Sequence, residues 1–329
     1  MIKMKELSRE EFEQLLSGAA RVMKTRTRPL AIPGEAILGI EAIARCTACK
    51  GRRFVNIATW PYGEDFGRWL RECGAEVLDV AVPVREAVQM TSVRDAVERF
   101  RPDGLAYVYA EAVTGIKNPV QELQDLAREF ELFTIVDAVS SFGADPFEMD
   151  AWGVDFVSLG MQKALGGSNG LSFLGISDRG MEWIRQNPSA PRHSLLSLPE
   201  IQELEKDGVP AWLPVLEARD TLRAFEENEK EGGIEATVRR HGMTARKFRE
   251  TLTVQGWKLF PAQNEYATDL DTTLLLDDKN AADFEGEGII HPVRTPEGQA
   301  FLRVNHYGSA CNSEEMAKAE KILQRLMEK

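Results

Sequence analysis

Six apolar runs separated by helix-like stretches constrain this chain more than any other feature of its sequence. RFVNIA (53–58), AEVLDVAV (75–82), GLAYVYA (104–110), LFTIVDAV (132–139), VDFVSLG (154–160) and LSFLGIS (171–177) have the content of strands covered on both faces. Between most of them, stretches such as Glu64–Cys73, Ser92–Phe100 and Pro119–Phe130 have amphipathic helical spacing. A strand that pairs parallel to its predecessor needs a crossover, usually a helix. The alternation therefore predicts an α/β fold with a mostly parallel sheet between helices.

A helix is predicted ahead of this core, over 8–24, where Ser8 caps and Glu11 stands three residues on. Phe12, Leu15, Leu16, Ala19, Val22 and Met23 fall on one face of it. The pattern changes after Leu213. A long charged helix runs to Lys230, Gly232-Gly233 interrupts it, and a second helix covers 234–252. Strand candidates follow near Thr272–Leu276, Ile289–Val293 and Ala300–Val304, then a terminal helix with Ser313 as its cap. This predicts a large domain over 1–232 and a small C-terminal α+β domain over 233–329.

The net charge of −12 argues against nucleic-acid or anionic-membrane surfaces, which need clustered Lys and Arg. No apolar run approaches the roughly 18 residues that span a bilayer. The charged, amphipathic N-terminus does not read as a signal peptide, so a cytoplasmic location is expected. Four cysteines are too few for a disulfide framework, and no second pair accompanies Cys46 and Cys49 at zinc spacing. His193, His241, His291 and His306 are scattered and suggest no metal site.

In an open α/β sheet, ligands bind beyond the carboxyl ends of the strands. Asp137 closes LFTIVD, and Lys163 follows VDFVSLGMQ one strand later. A carboxylate closing an apolar strand seeks a cation, and a lysine near apolar surface can be a nucleophile toward an aldehyde. Pyridoxal phosphate (PLP) requires both. Taken alone, such a pair reads first as a structural salt bridge.

The surrounding residues add to this. VDAVSSFGADPFEMDAWGVDFVSLGMQKALGGSNGLSFL resembles the core of the class V aminotransferases, in their alanine–glyoxylate and serine–pyruvate branch. That branch has a strand ending in V-D-x-V, a P-x-x-M-D segment, S-G-x-Q-K-A-L and a glycine-bearing loop. The resemblance continues, more weakly, over nearly the whole chain. It implies fold type I of the PLP enzymes, with a mostly parallel seven-stranded sheet, a small C-terminal domain and a homodimer. The activity implied is amino transfer between a small amino acid and a 2-oxo acid such as pyruvate or glyoxylate.

By the same resemblance Lys163 carries the cofactor and moves protons, and Asp137 pairs with the pyridine nitrogen. Val139 packs on one face of the ring, and Gln162 lies near the phosphate. In YAEAVTG, Thr114 matches a residue near the ring hydroxyl. In TWPYGEDFGRWLRECGAEV, Tyr62 matches the aromatic that stacks on the ring. In AFLRVNHYG, Arg303 matches the arginine that clamps the substrate carboxylate, a task suited to its fork. His306, in R-V-N-H-Y-G, reads as a structural histidine.

The chain also departs from this pattern. Where the family opens a helix with G-S-G-[TH] to cradle the phosphate, this chain has Gly34-Glu35-Ala36-Ile37. One carboxylate thus stands near the expected phosphate, at a helix start that favours any anion. Trp212, in Ala-Trp-Leu-Pro-Val, replaces a threonine that the partner subunit supplies. Ser168-Asn169 replaces the Pro-Pro after Q-K-A-L, and a G-P-G-P loop before the first helix has no counterpart. Two other readings stay open: a family member with weakened or lost PLP binding, and a PLP-dependent lyase or desulfurase. For the latter, Gly308-Ser309-Ala310-Cys311 superficially resembles the cysteine loop. It follows Arg303 instead of preceding it, and Gln162 stands where desulfurases have histidine.

Overall fold

The computed structural model describes residues 6–276 and 284–328. Its main element is a seven-stranded sheet in the order β1-β9-β8-β7-β4-β2-β3. These strands are β1 (Leu30–Pro33), β2 (Arg53–Ala58), β3 (Glu76–Ala81), β4 (Gly104–Val108), β7 (Phe133–Asp137), β8 (Phe156–Gly160) and β9 (Leu171–Ile176). All neighbours from β3 to β8 pair parallel, and β9 is antiparallel to both β8 and β1. All six apolar runs are therefore strands of one mostly parallel sheet; β3, at its edge, is half-buried to exposed and not covered on both faces. β1 has no counterpart in the sequence reading. It is four residues long and ends in proline, and its place at the sheet edge comes from pairing with β9.

Helices cover both faces. α1 (Arg9–Met23) has the predicted capping box: Glu11 N–H donates to Ser8 Oγ at 3.1 Å, and Ser8 N–H donates to Glu11 Oε2 at 2.7 Å. Its apolar stripe of Phe12, Leu15, Leu16 and Ala19 is buried in the core with Phe173 and Phe225. α3 (Tyr62–Glu72) begins two residues ahead of the predicted Glu64, because its first N–H groups find an acceptor on another strand end, Glu111. α4 (Met90–Phe100), α5 (Val120–Glu129) and the short α6 (Met149–Trp152) complete the crossovers between parallel strands; β5 (Ala110–Glu111) and β6 (Ile116–Lys117) form a separate two-stranded pair, and α7 (Asp178–Arg185) and α8 (Leu198–Glu205) follow β9.

α2 (Ala36–Thr47) leaves β1 and lies across β8 and β9. Its close approach depends on Gly39. A Cβ there would lie 2.6 Å from Ser158 Oγ and 2.7 Å from Leu174 Cδ2, both on the strands beneath.

After α9 (Val215–Lys230), Gly232 and Gly233 take φ of +103° and +76°, open to glycine alone at little cost, and α10 (Gly233–Val254) starts in a new direction. It packs with α11 (Ser313–Met327) on a three-stranded antiparallel sheet, β10 (Thr272–Leu275), β12 (Ala300–Val304) and β11 (Ile290–Arg294), which has its own apolar cluster. The cap of α11 is Asn312, not Ser313. Asn312 is in extended conformation and its Oδ1 accepts from Glu314 and Glu315 N–H at 2.9 and 3.0 Å, while Ser313 is already helical. Among the described residues no helix is long and apolar enough to cross a membrane.

Gly39→Ala forces α2 away from β8 and β9. We expect a loss of about 1–3 kcal/mol, read as a lower denaturant midpoint with unchanged slope. An unaltered midpoint contradicts this account of how α2 is seated.

Candidate active site

β7 and β8 pair parallel, with Ile135–Asp137 beside Phe156–Ser158, so both chains leave the sheet at the same edge. Asp137 is the last residue of β7, and Lys163 stands three residues beyond the end of β8. They line one cavity of about 200 Å3. Tyr62, at the start of α3, and Val139, just beyond β7, form further walls, and Glu35, Ile37 and Ile40 close it from α2. The remaining group is Ser140, whose hydroxyl accepts from Lys163 Nζ at 2.6 Å.

The electrostatics follow from burial. Desolvation pushes the pKa of Asp137 up to about 6, against the stabilising pull of Val139 N–H and the Lys163 charge. Lys163 is moved the other way. Desolvation lowers its pKa, although Asp137, Glu35 and Asp271 pull it upward. A lowered lysine pKa enlarges the fraction of free amine, which is the nucleophilic form. Tyr62 is raised by desolvation and by the acids around it.

Glu35 is the N-cap of α2. Its Oε2 accepts from Ile37 N–H at 2.9 Å, and its Oε1 accepts from Gln162 Nε2. The free amides that begin a helix, and the positive end of its dipole, are thereby met by a side chain of the chain itself. Gly34, at φ +122°, makes the turn into this cap, and buried Ala36 follows it.

Five sequence candidates thus share the cavity wall: Glu35, Tyr62, Asp137, Val139 and Lys163. Gln162 reaches it through Glu35. Thr114 is buried and does not line the cavity; its carbonyl accepts from Thr273 Oγ1 at 2.8 Å. Arg303, on β12, donates to the Ala112 carbonyl at 3.0 Å, and its charge acts on Tyr62 and Lys163.

The sequence reading passed over Ser140 and Glu111. Ser140 lies three residues past Asp137, where the chain turns back toward β8. Glu111 follows β4, the neighbour of β7, and is fully buried. It accepts from Thr59 Oγ1, Tyr62 N–H and Gly63 N–H at 2.7, 3.2 and 2.9 Å, and so fixes the start of α3 that carries Tyr62. A second acid at a strand end beside Asp137 was the available signal.

The chain is similar to known aminotransferases. The model of the family "Aminotransferase class-V" matches residues 68–189. The pyridoxamine–pyruvate transaminase of Mesorhizobium japonicum is 28% identical over 265 residues, covering 80% of this chain and 67% of its own length. An alanine–glyoxylate aminotransferase of Saccharomyces cerevisiae is 25% identical, with 92% and 84% covered. The crystal structure of the pyridoxamine–pyruvate aminotransferase of Mesorhizobium loti superposes with a TM-score of 0.88 at 25% identity, covering 97% of this chain and 84% of that one.

The acids give a pH dependence of stability. Desolvation raises Glu111 to about 8 from an ordinary 4.5. Between these values the folded protein keeps a proton that the unfolded chain has lost, so stability falls as pH rises through that window. Chemical denaturation at about pH 5.5 and pH 8 should show a lower midpoint at the higher pH, and Glu111→Gln should shrink that difference. An equal difference in both proteins contradicts the assignment.

Proposed function

We propose that the chain is a PLP-dependent aminotransferase of the class V type, and that it moves an amino group between a small amino acid and a 2-oxo acid of the pyruvate or glyoxylate type. The observation that carries this reading is the pairing of Lys163 and Asp137 on one cavity beneath Tyr62. When bound, PLP supplies an aldehyde that captures amines and a ring that accepts the electrons left by proton loss.

The ring half of the cavity suits such a group. It presents a lysine amine that donates to Ser140 and a buried carboxylate on the neighbouring strand end. Asp137 would hold a proton on the pyridine nitrogen, Tyr62 and Val139 would cover the two ring faces, and Thr114 would lie near the ring hydroxyl. Lys163, with its lowered pKa, would take the proton from the substrate carbon and return it. Arg303 would orient the substrate by its carboxylate.

The phosphate half suits a phosphate less well. Glu35 already caps the helix, and Gln162 is turned to Glu35. A dianion placed there meets a carboxylate in a partly desolvated site. A second reading rests on this observation and on the likeness to pyridoxamine–pyruvate transaminase. In it the amino donor is pyridoxamine itself, without a phosphate, and its 5′ hydroxyl group faces Glu35.

The protein is further read as a homodimer with its active sites near the subunit contact. Exposed Leu195, Leu204, Val209, Trp212 and Leu216, clustered within 195–216, support an apolar contact with a second copy. The break at Gly232-Gly233 supports a boundary between domains 1–232 and 233–329. Four free cysteines and the acidic composition are in keeping with a cytoplasmic protein that engages neither nucleic acid nor membrane.

Lys163→Ala should abolish transamination and the visible absorbance of the bound cofactor. Retention of both in that variant overturns the role of Lys163. Titration with PLP and with pyridoxal separates the two readings. Under the second, wild type binds pyridoxal more tightly, and Glu35→Gln tightens PLP by roughly tenfold while transfer from pyridoxamine to pyruvate falls. Equal PLP affinity in wild type and variant removes the second reading and leaves the first.

A further inference from the structure

Lys163 is surrounded by acids, yet the group it touches is a hydroxyl. Asp137 on β7, Glu35 at the start of α2 and Asp271 ahead of β10 favour its charged form, Arg303 on β12 disfavours it, and Tyr62 on α3 lines the same cavity. Among the described residues none of these acids hydrogen-bonds or ion-pairs with the amine, and their charges act from a distance. The contact that Nζ makes is its donation to Ser140 Oγ at 2.6 Å.

Ser140 is placed by the turn that follows β7. Val139 N–H donates to Asp137 Oδ1 at 3.0 Å, and Ser141 N–H donates to the Ala138 carbonyl at 2.9 Å. Ser140 is only 4% exposed and lines the cavity, so backbone that is itself tied to Asp137 presents its hydroxyl to the amine. One turn thus fixes both the carboxylate and the partner of the lysine. The type of partner matters. An ammonium has three donors and no acceptor, while a hydroxyl both accepts and donates. Ser140 therefore accepts from charged Lys163 and can donate to the lone pair of neutral Lys163. A carboxylate in its place would only accept, and would hold the lysine as the cation. An alanine there would leave a buried amine without this partner in either form.

We propose that Ser140 is a positioning residue that holds the Lys163 amine on the cavity wall through both of its protonation states. This rests on the aminotransferase reading, in which Lys163 meets an aldehyde as the free amine and later takes up and returns a proton. The two hydrogen bonds differ in strength. The one from the ammonium is charge-assisted and roughly twice as strong as a neutral one. The hydroxyl therefore favours the charged form. Its loss moves the balance toward the free amine and at the same time releases that amine from its place.

Two measurements on the cofactor-free protein separate these effects. The first is the titration of Lys163, followed by the NMR shift of its Cε carbon in protein labelled at lysine, with Lys163→Ala to identify the signal. In Ser140→Ala the midpoint should move to lower pH. In Ser140→Thr, which keeps the hydroxyl, it should stay with wild type. A midpoint does not depend on how much of the protein is folded, so a merely structural role for Ser140 would leave it in place. The second is stopped-flow uptake of pyridoxal phosphate and of pyridoxal, read as visible absorbance. Above the midpoint, where the amine is free in every protein, Ser140→Ala should react roughly tenfold more slowly than wild type. An unmoved midpoint, or equal uptake above it, overturns the role of Ser140, as does a Ser140→Thr protein that behaves like Ser140→Ala. Where wild type takes up either aldehyde, such a result removes this inference alone. A wild type that forms no visible band with either overturns the aminotransferase reading with it.

Discussion

Parallel pairing of β7 with β8 brings an acid and an amine to the same edge of the sheet, and the candidate site is built outward from that edge. Each strand enters at the far side and leaves here, so Asp137 and Lys163 are neighbours despite the helix and loop between them in sequence. The strands themselves are buried on both faces, from Ile135 and Val136 to Val157 and Leu159. That burial holds their register. A slip by one residue would turn every side chain to the opposite face, and Asp137 would no longer face the cavity.

Carboxylates are the second theme of the site. Asp137, Glu111 and Asp271 are all buried, and desolvation raises each of them, to about 6, 8 and 7. They differ in how they are satisfied. Glu111 accepts three hydrogen bonds and serves the scaffold by fixing the helix that carries Tyr62. Asp137 accepts one from Val139 N–H and is open toward the cavity. Among the described residues Asp271 accepts none. An acceptor left without a donor inside a protein is a cost to the fold.

Glu35 links these two themes. The start of a helix beside a strand edge is a natural anion site, because free N–H groups and the helix dipole point into it. Here the chain occupies that position with its own carboxylate and aligns Gln162 to it. The same backbone that could cradle a phosphate is thus met by a carboxyl group of its own chain. The architecture resembles that of the aminotransferases to which the chain is similar, while the helix start is filled from within the chain itself.

Local pattern determined much of this. The six both-face apolar runs specified a parallel α/β sheet, and the capping box at Ser8 specified the first helix, because neither depends on distant partners. The order of Asp137, Gln162 and Lys163 within their motif marked the site, and the carboxylate at position 35 was visible as a departure from it. Only the tertiary structure decided the rest. β1 exists because β9 supplies its partner, α3 begins where Glu111 caps it from another strand, and α11 is capped by Asn312 because backbone conformation, not residue type, selects the cap. Ser140 and Glu111 gain their meaning from what faces them across space. Hydrogen bonds and desolvation are set by neighbours far apart in the chain, and a linear sequence does not record which of its polar groups will be left without one.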